Sequence, residues 1–319
     1  MTGTFDHVLA VGFGGPTGPE EIAPFLAQVA RGARIPEARL AEVAHHYGIV
    51  GGCSRYNAET LELIDRLRDA LRARGAALPV YVGMRNWHPF LGETLGEINA
   101  AGLSRGLGLV LAPHRCEASF ERYLDDVDRA KAQAGAERVR YAFLPGWHAH
   151  PDFIAAQADL MARHAGGRDG ISEAGTALVF SAHAIPVSMP GCARYVEDVA
   201  STARACAAAV GASRWQVAYQ SRSGNPREPW LEPDVETVLR RMPSEGIRRA
   251  VVVPIGFLCE NVEVLFDLDI EASGAAREIG LEWVRVPTVR AHPAFVGMLA
   301  GLVADSAGAV GTARARSAE

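Results

Sequence analysis

Residues 249–271 read RAVVVPIGFLCENVEVLFDLDIE, and the change of period inside this stretch decides the fold. Arg249 to Pro254 is a short β-branched run closed by a proline; from Asn261 onward, acidic and apolar positions recur at helical spacing. A buried strand that passes through a turn into an amphipathic helix is one βα unit of a parallel sheet. The pattern has an echo in LAPHRCEASFERYLDDVD at 111–128, where a strand again ends in proline and a turn and a helix again starts acidic. Working outward from these two units, eight apolar runs can be marked: His7 to Gly12, Pro79 to Met84, Gly106 to Ala112, Arg138 to Leu144, Ala177 to Ala182, Trp215 to Gln220, Arg249 to Pro254 and Glu282 to Val286. Amphipathic stretches such as Ala58 to Arg74 lie between them, with Leu61, Leu63, Ile64, Leu67 and Leu71 at about helical spacing. The expected fold is therefore α/β, with two similar Rossmann-like halves, each a four-stranded parallel sheet flanked by helices, and a cleft between them. The halves are placed at 1–147 and 148–290. A final helix near 291–307 is expected to pack back on the first half, and 308–319 to form a disordered polar tail.

Composition narrows the class. The chain has 319 residues, 49% hydrophobic and 22% charged, enough for two cores without disulfides. A net charge of -5 leaves no broad basic field, so a nucleic-acid partner is not expected. The five cysteines, Cys53, Cys116, Cys192, Cys206 and Cys259, form no CxxC pair, which fits a reducing compartment and argues against a thiolate cluster. The start, MTGTFDHVLAVGFGG, lacks a basic leader, and no apolar run reaches the roughly 20 residues that span a bilayer. A soluble, cytoplasmic protein without a transmembrane anchor is expected.

Unusual residues gather just after the strands, in GFGGP, GMRNWHPF, LAPHRC, SAHAIP, YQSRSGNP and PIGFLCEN. In open α/β sheets ligands bind beyond the carboxyl ends of strands, so these motifs should face one cleft. On a helix Glu263, Asp267 and Glu271 fall four apart, near one face; this is either a solvated acidic face or a row that binds or relays divalent cations. His183 closes an apolar strand ahead of Pro186, as a core hydrogen-bonding group or as a site residue. GFGGP lacks a GK[ST] ending and reads as a tight turn that lets a ligand approach the backbone. GGCSRYN at 51–57 offers a helix N-terminus to a carboxylate, or only an N-cap at Ser54 or Asn57. Phe13, Arg85 and Trp87 supply apolar walls and a fixed cation for a flat ring.

Taken in order, GFGGP, YVGMRNWHPF, LAPH, FSAHAIP, YQSRSGNPREPWLEPD, PIGFLCENVEVLFDLDIE and HPAF resemble the ferrochelatase family over Val8 to Phe295. The resemblance implies insertion of Fe²⁺ into a porphyrin in haem biosynthesis. It implies that His183 and Glu263 are the catalytic, metal-handling pair, with a neutral imidazole accepting pyrrole protons or ligating iron. Asp267 and Glu271 then extend a proton or cation path. Porphyrin contacts map to Ser54 and Tyr123, and to His46, Tyr47 and Arg31, whose hydroxyls and charge would hold propionates. Iron is a substrate, so no permanent cofactor is expected. Some relatives bind an iron–sulfur cluster through C-terminal cysteines; no cysteine follows Cys259 here, and no cluster is expected.

Departures from the family pattern are also present. Compact Gram-positive members carry a Tyr where this chain has Phe13, Ala30 replaces a basic residue beside Arg31, and Glu260-Asn261 replaces Asp-His. VARGARIPEARL and SGNPREPWLEPDV look closer to the coproporphyrin branch, whereas RNWHPF and YQSR look like the protoporphyrin branch. The expected substrate is coproporphyrin III, with protoporphyrin IX as the alternative. A sirohydrochlorin cobalt chelatase and a non-catalytic haem carrier are the further alternatives. A monomer, with transient contacts to neighbouring haem-pathway enzymes, is the expected assembly.

Overall fold

The computed structural model describes residues 5–31, 36–76, 78–223 and 227–316, with side chains described up to 307. Parts of two motifs, at 32–35 and 224–226, lie outside the described residues, as does the end of the expected tail, 317–319.

In the first half, β1 (His7–Gly12), β2 (Val80–Met84), β3 (Arg105–Val110) and β4 (Arg140–Phe143) form a parallel sheet in the order β2-β1-β3-β4. The connections carry α1 (Ile22–Val29), α2 (Glu37–Ile49), α3 (Tyr56–Ala73), α4 (Leu91–Ala100) and α5 (Arg122–Gln133). The second half opens with α6 (Pro151–His164) and α7 (Gly167–Ser172). It continues through β5 (Thr176–His183), α8 (Cys192–Val210), β6 (Trp215–Gln220), α9 (Val235–Arg241), β7 (Arg249–Val253), α10 (Ser273–Glu278) and β8 (Glu282–Arg285). Its sheet order, β6-β5-β7-β8, repeats that of the first half. All eight runs marked in the sequence contain strands; the central ones are buried on both faces and read as continuous apolar segments, whereas the edge strands β4 and β8 are only partly buried. β1 is buried along its whole length, and β5 is buried up to its last residue, His183.

The strand order also positions the site. Each sheet reverses direction beside its central strand, and the crevice at such a switch point is where open α/β sheets take ligands. In the second half this crevice lies between β5 and β7, which end in the SAH and PIGF motifs. Gly256 brings the two ends together: its amide donates to the Ser181 carbonyl at 3.1 Å, and a Cβ there would sit 2.7 Å from Ala182 Cα.

Two expectations change. The acidic helix after β7 winds as a π-helix over Val264–Ala272, with i→i+5 hydrogen bonding, rather than as an α-helix. α11 (Pro293–Arg316) lies against both α3 and α6, and its backbone runs on through part of the expected tail. Phe295 on α11 is fully buried against Trp147 and Phe153, with ring centroids 5.3 and 5.7 Å away, so the helix seals the seam between the halves. Among the described residues no helix is long and apolar enough to cross a membrane.

Candidate active site

His183 is the last residue of β5, and Glu263 is the residue from which the π-helix departs. Their side chains meet across the crevice, Nε2 to Oε1 at 3.2 Å, each about a third exposed (32% and 35%). The other ring nitrogen, Nδ1, bonds the Ala184 carbonyl, which makes Nδ1 the donor and fixes the ring. From behind, the Tyr195 hydroxyl donates to the His183 carbonyl at 2.9 Å. Asn261 steadies the carboxylate, with Nδ2 3.4 Å from Glu263 Oε2, and its Oδ1 accepts from the Val264 amide at 2.9 Å.

A second layer of support comes from the end of β6. Gln220 Nε2 donates to the Glu263 carbonyl at 3.1 Å and lies 3.5 Å from Asp267 Oδ2. Ser221 Oγ donates to the same Asp267 oxygen. Ser221 holds a left-handed φ of 63°, a conformation that costs a non-glycine residue energy and that clusters at functional sites.

The electrostatics grade along this row. Burial opposes charge on His183, but Glu263, the Ala184 carbonyl and Asp267 outweigh it and raise the imidazole pKa to about 9. Burial likewise pushes Glu263 up, and the charge and hydrogen bond of His183 more than offset it, leaving the carboxyl below its ordinary value. In the metal-free pair both shifts favour the imidazolium beside the carboxylate. Burial, with the charges of Glu263 and Glu271, lifts Asp267 to about 7 against the opposing Ser221 hydrogen bond. Glu271 is exposed; desolvation and the carboxylates of Glu236 and Glu42 shift it upward. The wider π turn keeps residues four apart close to one face, with Glu263 and Asp267 partly buried and Glu271 exposed.

The ferrochelatase family pattern matches residues 6–307. The chain belongs to the ferrochelatase family. It is 39% identical over 310 residues to a ferrochelatase of Rhodopirellula baltica, covering 95% of this chain and 87% of that one. It is 36% identical to a coproporphyrin III ferrochelatase of Mycobacteroides abscessus, covering 94% and 88%. Among solved structures it resembles the sirohydrochlorin chelatase SirB from Bacillus subtilis subspecies spizizenii in complex with cobalt, at a TM-score of 0.57 and 10% identity over 95% and 96% of the two chains. It also resembles CbiX, the terminal enzyme for siroheme biosynthesis in denitrifying bacteria, at 0.54 and 19% over 93% and 97%. At those identities the likeness is one of fold.

The remaining predicted residues all belong to the first half and stand in different surroundings. Phe13, 37% exposed, lies edge-on to Phe25 at 6.4 Å. Its amide donates to the Tyr56 hydroxyl at 2.8 Å, and its carbonyl accepts from the Asn86 amide at 3.0 Å. The Trp87 indole N–H is held by Glu21 Oε2 at 2.7 Å. His46 stacks on Phe266 of the π-helix at 3.6 Å and 9°, so α2 reaches across to the metal-handling helix. Tyr47 is buried beside Phe25, its hydroxyl pKa pushed up by burial and by the Glu263 charge. Arg31 is exposed just beyond α1.

Ser54 and Tyr123 are both buried. Ser54 Oγ accepts from the Tyr56 amide at 3.2 Å, a local turn bond rather than a side-chain cap of α3. Arg85, read as a fixed cation for the ring, is committed internally: its guanidinium pairs with Asp126 and lies 4.4 Å over the Tyr123 ring. Several residues of the quoted motifs hold supporting roles that their spacing does not indicate. Tyr56 and Asn57 tie the first loop down, the latter accepting from the Gly15 amide at 2.9 Å and donating to the His88 carbonyl at 3.0 Å. Gln220 and Ser221 sat within YQSRSGNP at a strand end, which was the available signal. Tyr195, in the first turn of α8, gave none.

Proposed function

We propose that this enzyme inserts Fe²⁺ into coproporphyrin III, with His183 and Glu263 handling the metal and the pyrrole protons. The observation that carries the reading is the 3.2 Å contact of a strand-end imidazole with a helix-entry carboxylate, in a crevice backed by Asp267. Insertion exchanges one dication for two pyrrole protons, so the site must take protons away as iron arrives. Fe²⁺ approaching Glu263 competes with the imidazolium for the carboxylate and lowers the stability of the charged ring, which releases its proton. The freed Nε2 then accepts a pyrrole proton or ligates iron. Asp267, with a pKa near neutrality, receives protons from this pair and passes them to exposed Glu271.

Coproporphyrin III is favoured by the relatives named for that substrate and by the motif pattern around 29–40 and 223–235. The cobalt-chelatase alternative has support only at the level of fold. A non-catalytic haem carrier has no need of an acid–base row, which this chain has from Glu263 to Glu271. We infer no resident cofactor or iron–sulfur cluster, because the five cysteines are scattered and form no CxxC pair. We read the enzyme as a cytoplasmic monomer that hands its product to a neighbouring enzyme of the pathway.

The test is anaerobic turnover of metal-free coproporphyrin III and protoporphyrin IX with Fe²⁺, followed by loss of porphyrin fluorescence. A higher kcat/KM for coproporphyrin III is expected, and His183→Ala and Glu263→Gln should each lower kcat by about 10²–10⁴-fold. Full turnover in either variant, or a preference for protoporphyrin IX, would overturn the corresponding part of the proposal.

A further inference from the structure

The segment from Glu260 to Asp269 carries both Glu263 and Asp267, and one guanidinium grips it at both ends. Arg285, the last residue of β8, lies on the side of the π-helix away from the crevice and is largely buried, its side chain 17% exposed. It forks onto Asp269 within the π-helix, Nε to Oδ1 at 2.6 Å and Nη2 to Oδ2 at 2.9 Å. Its Nη1 donates to Glu260 Oε1, just ahead of the helix, at 2.9 Å. Glu260 is itself anchored: the Thr288 amide donates to it at 2.8 Å, its own amide donates to Glu59 Oε2 at 2.8 Å, and its side chain is 2% exposed.

A π-helix is an uncommon winding that persists where its surroundings enforce it. Gln220 and Ser221 hold it on the crevice side, His46 stacks on its Phe266, Val264, Leu268 and Ala272 pack into the core, and this fork fixes Asp269 to Glu260. We infer that Arg285 is a positioning residue for metal insertion, acting through Asp269 and Glu260 to hold the π-helical register that aims Glu263 and Asp267 into the crevice. Its role depends on planar two-point geometry, which the point charge of lysine does not reproduce. The inference rests on the metal-insertion reading proposed above, but the clamp is measurable without turnover.

The experiment compares the full-length wild type with Arg285→Lys, Asp269→Asn and the double variant. Hydrogen exchange of backbone amides 264–272 should accelerate about tenfold or more in each single variant, with β1 and β5 unchanged. In Fe²⁺ titrations of turnover, kcat/KM for the metal should fall by about ten- to a hundredfold, while porphyrin affinity from fluorescence quenching stays within twofold. The double variant should be no worse than the poorer single one, since both break the same contact.

Unchanged exchange over 264–272 in Arg285→Lys refutes the clamp. Parallel loss of porphyrin affinity and metal use reduces Arg285 to general scaffolding and refutes the positioning role. If Arg285→Lys does not fold, Asp269→Asn, which keeps the Glu260 pair, decides by the same readouts. A wild type that inserts no metal, with exchange responding as expected, defeats the functional reading and leaves the clamp standing.

Discussion

Asp267→Asn separates the chemistry of the carboxylate row from its stability. Folded Asp267 has a pKa of about 7 against an ordinary value of 3.8, so the folded chain keeps a proton that the unfolded chain gives up over that interval. Where the native state binds more protons, stability falls as pH rises. The contribution of neutral Asp267 is thus complete below about pH 4, declines between pH 4 and 7, and levels off above. At about 1.4 kcal/mol per unit the whole shift is on the order of 4 kcal/mol, and roughly 2–3 kcal/mol of it falls between pH 5 and 8. Asparagine keeps an oxygen for the Ser221 and Gln220 donors but cannot ionise. Urea unfolding of the metal-free wild type and Asp267→Asn at pH 5, 6.5 and 8 should show the variant gaining relative stability by that amount as pH rises. Groups remote from Asp267 titrate in both proteins and cancel in the difference, while His183, which the Asp267 charge supports as imidazolium, adds a difference of its own where Asp267 is ionised. Parallel stability curves across this range would refute the neutral, buried Asp267 and with it the relay. The variant should also lose turnover near neutrality, because an amide cannot carry a proton between His183 and Glu271.

Tyr195→Phe removes only the hydroxyl that holds the His183 carbonyl, and should cost about 1 kcal/mol in denaturant unfolding. Its kcat should drop severalfold with KM for porphyrin unchanged; a wild-type kcat would mean that β5 aims His183 unaided. Gly256→Ala places a Cβ 2.7 Å from Ala182 Cα, between the two strand ends that bear the site. It should lose about 1–3 kcal/mol of stability by overpacking and lower kcat together with metal use, and a thermal scan with parallel assays would expose an unperturbed variant.

Much of the fold was legible because its signal is local. β1 and β6 run over the very residues marked from the sequence, and α3 departs from the marked stretch by two residues at its start and one at its end. Each of these elements buries a continuous face and so writes its period into consecutive residues. The site was legible in part. His183 and Glu263 lie in motifs eighty residues apart, and composition and spacing left one as a core imidazole and the other as a surface carboxylate until the ferrochelatase pattern joined them.

Illegible features share a cause: each depends on a partner that sequence spacing does not name. Arg85 reads as a free cation beside a strand end, yet Asp126, forty-one residues on, takes it. The π-winding after Glu263 depends on Arg285 to one side and on Gln220 and Ser221 to the other, and an acidic amphipathic run reads as an α-helix without them. Even the resting charge of His183 is a property of the pair, since burial alone would hold the ring neutral. The chemistry inherits this dependence. On the proposed mechanism, a carboxylate that keeps the imidazole protonated until a dication displaces it makes proton release conditional on metal arrival, so the pair would couple the two halves of metal insertion through the contact that neither residue's sequence context reveals.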